Sequence, residues 1–215
     1  MSKFVLAVDV DGVCADYTAG FRTVVKRELG YSDDDLGPPN TWAFTEWNLD
    51  GQFDRLHDLA VTEHRIYRTV DPIEGCADAL WRLSDAGAWI RLVTHRLYSK
   101  FGHSIVVSDT VEWLDKHSIP YRDLCFLGDK SDVDAAAYIE DGPHNIERIR
   151  ALGRHVVVFD QGYNREFAPP RAQNWVQAEA QVMDLLTAHQ GSVEPTLPGT
   201  STAGERLSTR RRGRF

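Results

Sequence analysis

The sequence predicts an α/β fold, a doubly wound parallel sheet carrying a small helical insert after its first strand. Three observations predict it. Short apolar runs rich in β-branched residues recur along the chain, as strands buried on both faces require. Patterns of helical period fall between those runs, which calls for right-handed crossovers between parallel strands. One interval near the start breaks the alternation.

The first run, residues 4–8, opens the sheet and is followed by Asp9, Asp11 and Gly12. Residues 16–72 then hold a helical pattern (Phe21, Val24, Val25, Leu29), a polar stretch with prolines, and the segment "NTWAFTEWNLDGQF". A strand-to-helix connection usually takes about 2–6 residues, so this interval has its own structure, read as a mostly helical cap. The α/β core is expected over residues 1–15 and 73–190. Cys76, Leu80 and Leu83 share a helical face that stops at Gly87, before a strand at 89–93. Val107, Val111 and Leu114 are read as the buried face of the next helix. Strands follow at 124–127 and, more weakly patterned, at 137–139. Ile146 and Ile149 mark a helix closed by Leu152 and Gly153, and a strand at 156–159 completes the sheet. Residues 191–215 are rich in Gly, Ser, Thr and Pro, lack apolar period, and are expected to be disordered, with Arg210, Arg211, Arg212 and Arg214 as a solvated basic cluster.

Composition narrows the functional classes. Hydrophobic residues make up 42% and charged residues 26%, as in ordinary soluble domains. A net charge of −8 argues against a nucleic-acid grip but not against a small anionic substrate beside a metal. The three cysteines form no metal-ligand spacing and read as reduced thiols in a cytoplasmic protein. Neither a signal peptide nor an apolar run of the roughly 18 residues a membrane span needs is expected.

In open α/β sheets ligands bind at the carboxyl ends of the strands. Here those ends carry Asp9 and Asp11, then Thr94, His95 and Arg96, then Asp129 and Lys130, then Glu140 and Asp141. Carboxylates are rarely buried without partners, so something positive belongs beside them. The chemistry that fits is phosphoryl transfer through an aspartyl phosphate. A carboxylate nucleophile needs its electrophile's charge neutralised, which Mg²⁺ does with oxygen ligands. Lysine and hydroxyl groups bind the other phosphoryl oxygens, and a second acid one residue on, on the same side of extended backbone, serves the leaving oxygen.

Strand-DxD in "VDVDGV", Thr94 in "LVTHR", Lys130, and the acidic pair in "IEDGP" together resemble the haloacid dehalogenase superfamily of phosphatases. A narrower resemblance, to the cytosolic-type 5'(3')-deoxyribonucleotidases, rests on "DVDGVCADY", the helical insert, "PIEGCADALWRL", "IEDGPHNI" and "VVVFDQGYNR". The resemblance implies Asp9 as nucleophile, Asp11 as general acid/base, and Thr94 and Lys130 at the phosphate. Asp9, the Asp11 carbonyl and an acid from Glu140 and Asp141 would hold Mg²⁺. Glu140 stands where that family usually has its ligand aspartate. The expected substrate is a nucleoside monophosphate, with sugar phosphates or other small esters as the alternative. A receiver-type phosphoacceptor module and an inactive interaction scaffold are the competing classes.

Other side chains carry two readings each. Trp42, Phe44 and Trp47 either face substrate or form the core of the cap. His95 and Arg96 either touch phosphate or base, or Arg96 pairs with a nearby acid. His144 reads as the start of a helix after Pro143, and Tyr163, Asn164 and Trp175 read as packing.

Overall fold

The computed structural model describes residues 3–49, 51–98 and 102–191. The expected disordered tail and its arginine cluster lie outside them, apart from Gly191. Among the described residues, six strands form one parallel sheet: β1 (Val5–Asp9), β2 (Trp89–Thr94), β3 (Asp123–Phe126), β4 (Ala137–Glu140), β5 (His155–Phe159) and β6 (Arg171–Ala172). Their order is β3-β2-β1-β4-β5-β6, with every neighbour parallel. β1 is thus central. Its register pairs Asp9 with Val93 on one side and Val8 with Ile139 on the other. Thr94, Glu140 and Asp141 therefore reach the same edge as Asp9.

The strand alternation divides the sheet between two cores. Leu6, Val8, Ile90, Leu92, Ile139 and Val157 point to the larger one. Ala7, Val93, Tyr138, Val156 and Val158 point to the other, where they meet Ile146 and Ile149. Those two isoleucines belong to α6 (Pro143–Ala151), while α4 (Cys76–Ala86) and α7 (Trp175–Gln190) pack on each other. Among the described residues, no helix is long and apolar enough to cross a membrane.

The helix α5 (His103–Lys116) corrects one expectation. Val107 is 38% exposed, and the buried face runs through Val106, Asp109, Thr110, Trp113 and Leu114. Two polar residues sit in that face because each has an arginine partner. Asp109 accepts from Arg65 Nε at 2.7 Å and Nη2 at 2.5 Å, and Thr110 Oγ1 accepts from Arg96 Nη1 at 3.1 Å. α6 closes at Leu152 and Gly153 as read, with Leu152 exposed and the chain turning at Gly153 with φ 70°.

Between β1 and α4 lie α1 (Tyr17–Leu29), a 3₁₀ turn (Thr45–Trp47), α2 (Phe53–Thr62) and α3 (Ile66–Thr69). Asp16 caps α1 by accepting from Ala19 N at 3.0 Å, and Gly30 ends it with φ 71°. This insert leaves and rejoins the core through paired backbone: Asp16 N donates to Asp71 O at 2.9 Å and Ile73 N to Cys14 O at 2.7 Å. Arg65 and Arg68, pairing with Asp109 and Glu112, hold its last helix against α5.

Candidate active site

The end of β1 delivers Asp9 into a buried, charged cluster. Asp9 Oδ1 accepts from Val10 N at 2.6 Å and lies 2.5 Å from Lys130 Nζ. Lys130 comes from the 3₁₀ turn after β3 and also donates to Glu140 Oε2 at 3.0 Å. Burial would lower the lysine amine, but Asp9 and Glu140 together outweigh it and hold the amine above its ordinary range. The carboxyls tell the complementary story. Burial, then Glu140, pushes Asp9 well above the usual carboxylate range, and the same two causes push Asp141 up to about 7. Three buried acids face one lysine.

Asp9, Glu140 and Asp141 can each offer an oxygen within 4.8 Å of the others. Asp141 Oδ1 is buried and has no hydrogen-bond partner among the described residues. A hard divalent cation fits this set, since the donors are all oxygen and carry excess negative charge. The two acids of the pair differ. Glu140 is crowded with donors: Oε1 accepts from Gly142 N at 3.0 Å and Asn145 Nδ2 at 3.2 Å, beside Lys130 on Oε2. Asp141 keeps a bare oxygen. Gly12, at φ 80°, makes room for the other, because a β-carbon there would collide with Asp141 Oδ2.

Asp11 turns its carboxylate the other way, onto Arg96. Arg96 Nε donates to Asp11 Oδ2 at 2.9 Å and Nη2 to Oδ1 at 2.7 Å. The guanidinium is buried, 4.3 Å from the Tyr67 ring centroid and 5.8 Å from that of Trp113. Of the two readings of Arg96, the structure gives the pairing with an acid. Thr94 is buried beside it and accepts from Arg96 N at 3.2 Å. His95 faces the same space, and burial followed by the charge of Lys130 lowers its imidazole pKa.

Above these groups is a cavity of 680 Å³. Its floor includes Asp9, Asp11, Thr94, Lys130 and Asp141, and its roof is aromatic: Tyr17, Trp42, Phe44, Phe53, His57 and Tyr67. The sequence grouped Trp42, Phe44 and Trp47 together; the structure separates them. Trp47 is fully buried, donates Nε1–H to Gly37 O at 2.9 Å, and stacks on Phe44 at 4.5 Å. A substrate-facing role for Trp47 is therefore corrected to a place in the insert's own core. Phe44 belongs to both, buried to 4% yet on the cavity wall, and its φ of 51° is a left-handed conformation costly for a bulky residue. Trp42 alone of the three is open, 54% exposed at the cavity.

Several wall residues had not been singled out. Tyr17 and His57 join α1 to α2 through a hydrogen bond of 2.7 Å between the hydroxyl and Nδ1. Phe53 and His57 lie four apart on one helix, a spacing that puts both on one face and was available as a signal. Tyr163, read as packing, donates its hydroxyl hydrogen to Asp141 Oδ2. His144 does stand in the first turn of α6, and it also lines the cavity. Trp175 is core, donating to Val13 O at 2.8 Å.

A parallel α/β sheet with an acid pair after β1, a helical insert behind it, and further acids after β4 defines a hydrolase of haloacid dehalogenase type. Solved structures agree on the fold. A haloacid dehalogenase-like hydrolase from Streptococcus pneumoniae superposes with a TM-score of 0.59 at 15% identity, covering 84% of this chain and 98% of its own. D,D-heptose 1,7-bisphosphate phosphatase from Burkholderia thailandensis gives 0.52 at 10%, covering 84% and 99%. The sequence is more specific. The profile of the family described as "5' nucleotidase, deoxy (Pyrimidine), cytosolic type C protein" matches residues 3–190, and the chain belongs to that family. A putative 5'(3')-deoxyribonucleotidase of Chlorobaculum tepidum is 39% identical over 87% of this chain and 93% of its own length. The 5'(3')-deoxyribonucleotidase of Bacillus subtilis is 24% identical over 84% and 99%. As a member of a 5'-nucleotidase family, the protein is a phosphoric monoester hydrolase.

Proposed function

We propose that the protein dephosphorylates nucleoside monophosphates, deoxynucleotides among them, through a phosphoryl group carried on Asp9, with Mg²⁺ as its cation. The observation that carries this reading is the pairing of a buried nucleophile cluster with an aromatic roof. Asp9 and Lys130 sit 2.5 Å apart at the floor of a 680 Å³ cavity whose roof offers flat apolar faces.

Oδ1 of Asp9 receives both Val10 N–H and Lys130, which leaves Oδ2 to attack phosphorus. As the Oδ2–P bond forms, the bond from phosphorus to the ester oxygen breaks, and Asp11 gives that oxygen a proton. Asp11 then takes a proton from water. The water oxygen bonds to phosphorus, the Oδ2–P bond breaks, and inorganic phosphate leaves with Asp9 restored. Thr94 and Lys130 hold phosphoryl oxygens meanwhile. Asp9, Asp141 and the Asp11 carbonyl would hold the Mg²⁺, which when bound offsets the charge of phosphate and carboxylates. Glu140, surrounded by donors, serves to fix Lys130. Stacking a base on Trp42 would contribute about 1–3 kcal/mol and tolerate different bases. The expected compartment is the cytoplasm, where free buried thiols such as Cys14 and Cys76 persist.

The test is phosphate release from nucleoside 5'- and 3'-monophosphates and from sugar phosphates, in Mg²⁺, in excess EDTA, and with Ca²⁺ added. The reading expects nucleotides to be preferred, chelation to abolish release, and Ca²⁺ to inhibit. Undiminished release in chelator, or a preference for sugar phosphates, contradicts it.

A further inference from the structure

The turn after β5 has no part in the steps above, yet it touches both halves of the site. Gln161 Nε2 donates to Gly12 O at 2.8 Å, so the turn is tied to the loop behind the nucleophile. Asn164 Nδ2 donates to Asp141 O at 2.9 Å and to Phe159 O at 2.8 Å, tying it to the acid pair and to its own strand. Between them, the Tyr163 hydroxyl donates to Asp141 Oδ2. Asn164 is itself held, accepting from Arg171 Nη1 at 2.9 Å. Tyr163 is thus aimed from a braced turn at one oxygen of one carboxylate.

The other side of the same turn faces the insert. Trp42 meets the Tyr163 ring edge-on, with centroids 5.1 Å apart and planes at 87°. Gly162 is overlain so closely by Pro39 O that a β-carbon there would strike it. Pro39 and Trp42 both come from the segment between α1 and α2. An exposed tryptophan of the insert therefore rests on the tyrosine that grips a buried acid of the core.

We propose that Tyr163 is the positioning residue for the cation ligand Asp141, and that Trp42 braces Tyr163 in that role. A carboxylate with two free oxygens can rotate and chelate in several ways. Occupying Oδ2 with a phenolic hydrogen, against Gly12, fixes the rotation and leaves Oδ1 bare. Oδ1 is the oxygen with no partner among the described residues. Outer hydrogen bonds of this kind orient metal ligands, and their removal typically costs about 10–100-fold in metal affinity. The edge contact from Trp42 restricts the tyrosine ring in turn. The inference rests on reading Asp9 and Asp141 as cation ligands.

The experiment measures cation affinity with no substrate present, by titrating Mn²⁺ followed by electron paramagnetic resonance and Mg²⁺ by calorimetry. Tyr163→Phe removes one oxygen and keeps the ring. It should weaken both cations about tenfold or more, with the circular dichroism spectrum unchanged. Trp42→Ala should weaken them in the same direction by a smaller factor, although the indole has no ligand atom in the cluster. Tyr163→His, which restores a donor, should recover part of the loss. Wild-type affinity in Tyr163→Phe overturns the positioning role, and the brace with it, while the reading of the site stands. Wild-type affinity in Trp42→Ala overturns the brace. A wild-type chain that binds neither cation overturns the proposal together with the reading of the site.

Discussion

Arg96 grips Asp11 with two parallel hydrogen bonds, at 2.9 and 2.7 Å, from a wholly buried position between the rings of Tyr67 and Trp113. Tyr67 belongs to the insert and Trp113 to the core, so the side chain that orients Asp11, the proposed acid/base, is packed by both. A planar fork on a carboxylate fixes direction as well as charge, which a lysine cannot reproduce.

Arg96→Lys should therefore lower turnover of nucleoside monophosphates, whose leaving alkoxide needs a proton, by about tenfold or more. p-Nitrophenyl phosphate, with a leaving group that needs none, should lose much less. The comparison is made on kcat/KM for the two substrates with the folded variant, because it reports the transfer onto Asp9 and excludes the water step that both substrates share. Equal losses would assign Arg96 to packing alone.

The aromatic roof predicts opposite behaviour for two tryptophans five residues apart. Trp47→Ala empties a fully buried site and should destabilise the protein by about 3–5 kcal/mol in urea titrations. Trp42→Ala removes an exposed ring, so stability should hold. At saturating Mg²⁺, its KM for nucleoside monophosphates should rise roughly fivefold or more, and clearly more than its KM for p-nitrophenyl phosphate. If KM rises alike for both, the base does not stack there.

His57 supplies a pH signature. Burial lowers its imidazole pKa, against the opposing pull of Asp11, Asp58 and Asp54. The ring stays neutral in the folded chain at a pH where the unfolded chain already binds a proton. Its contribution to stability is thus present above about pH 6.5 and is lost as pH falls toward the folded value. Proton resonances of the ring, followed by NMR against pH, should titrate below about 6.5. Titration at or above that value would place His57 in water rather than against Tyr17.

How much of this was legible depends on where each residue's partner lies. Asp9, Thr94, Lys130, Glu140 and Asp141 end strands or begin the turns after them, and strand ends can be read from apolar runs. Those runs fell within a residue or so of β1 to β5. β6 has two residues, too few for any period to show. The buried face of α5 was misread because two of its inward positions are Asp109 and Thr110. Apolar periodicity cannot see that arginines 44 and 14 residues away satisfy them. Trp42 and Trp47 sit in the same short segment, and only the tertiary fold turns one inward and leaves the other at the cavity. Tyr163 looked like packing for a similar reason, since its partner Asp141 lies 22 residues back across β5. The acids, Thr94 and Lys130 can be read from local strand ends, whereas the partners that Asp109 and Asp141 take lie far along the chain.

The central claim is that Asp9 itself carries the phosphoryl group, and chemical trapping during turnover tests it most directly. Sodium borohydride reduces an aspartyl phosphate to homoserine, so the enzyme is quenched with borohydride while hydrolysing a nucleoside monophosphate in Mg²⁺ and its peptides are sequenced by mass spectrometry. The account predicts homoserine at position 9, absent without substrate and absent in Asp9→Asn, which should also lose turnover by orders of magnitude while staying folded. Homoserine at another aspartate, or no reduction at position 9 while Asp9→Asn still turns over, would contradict it.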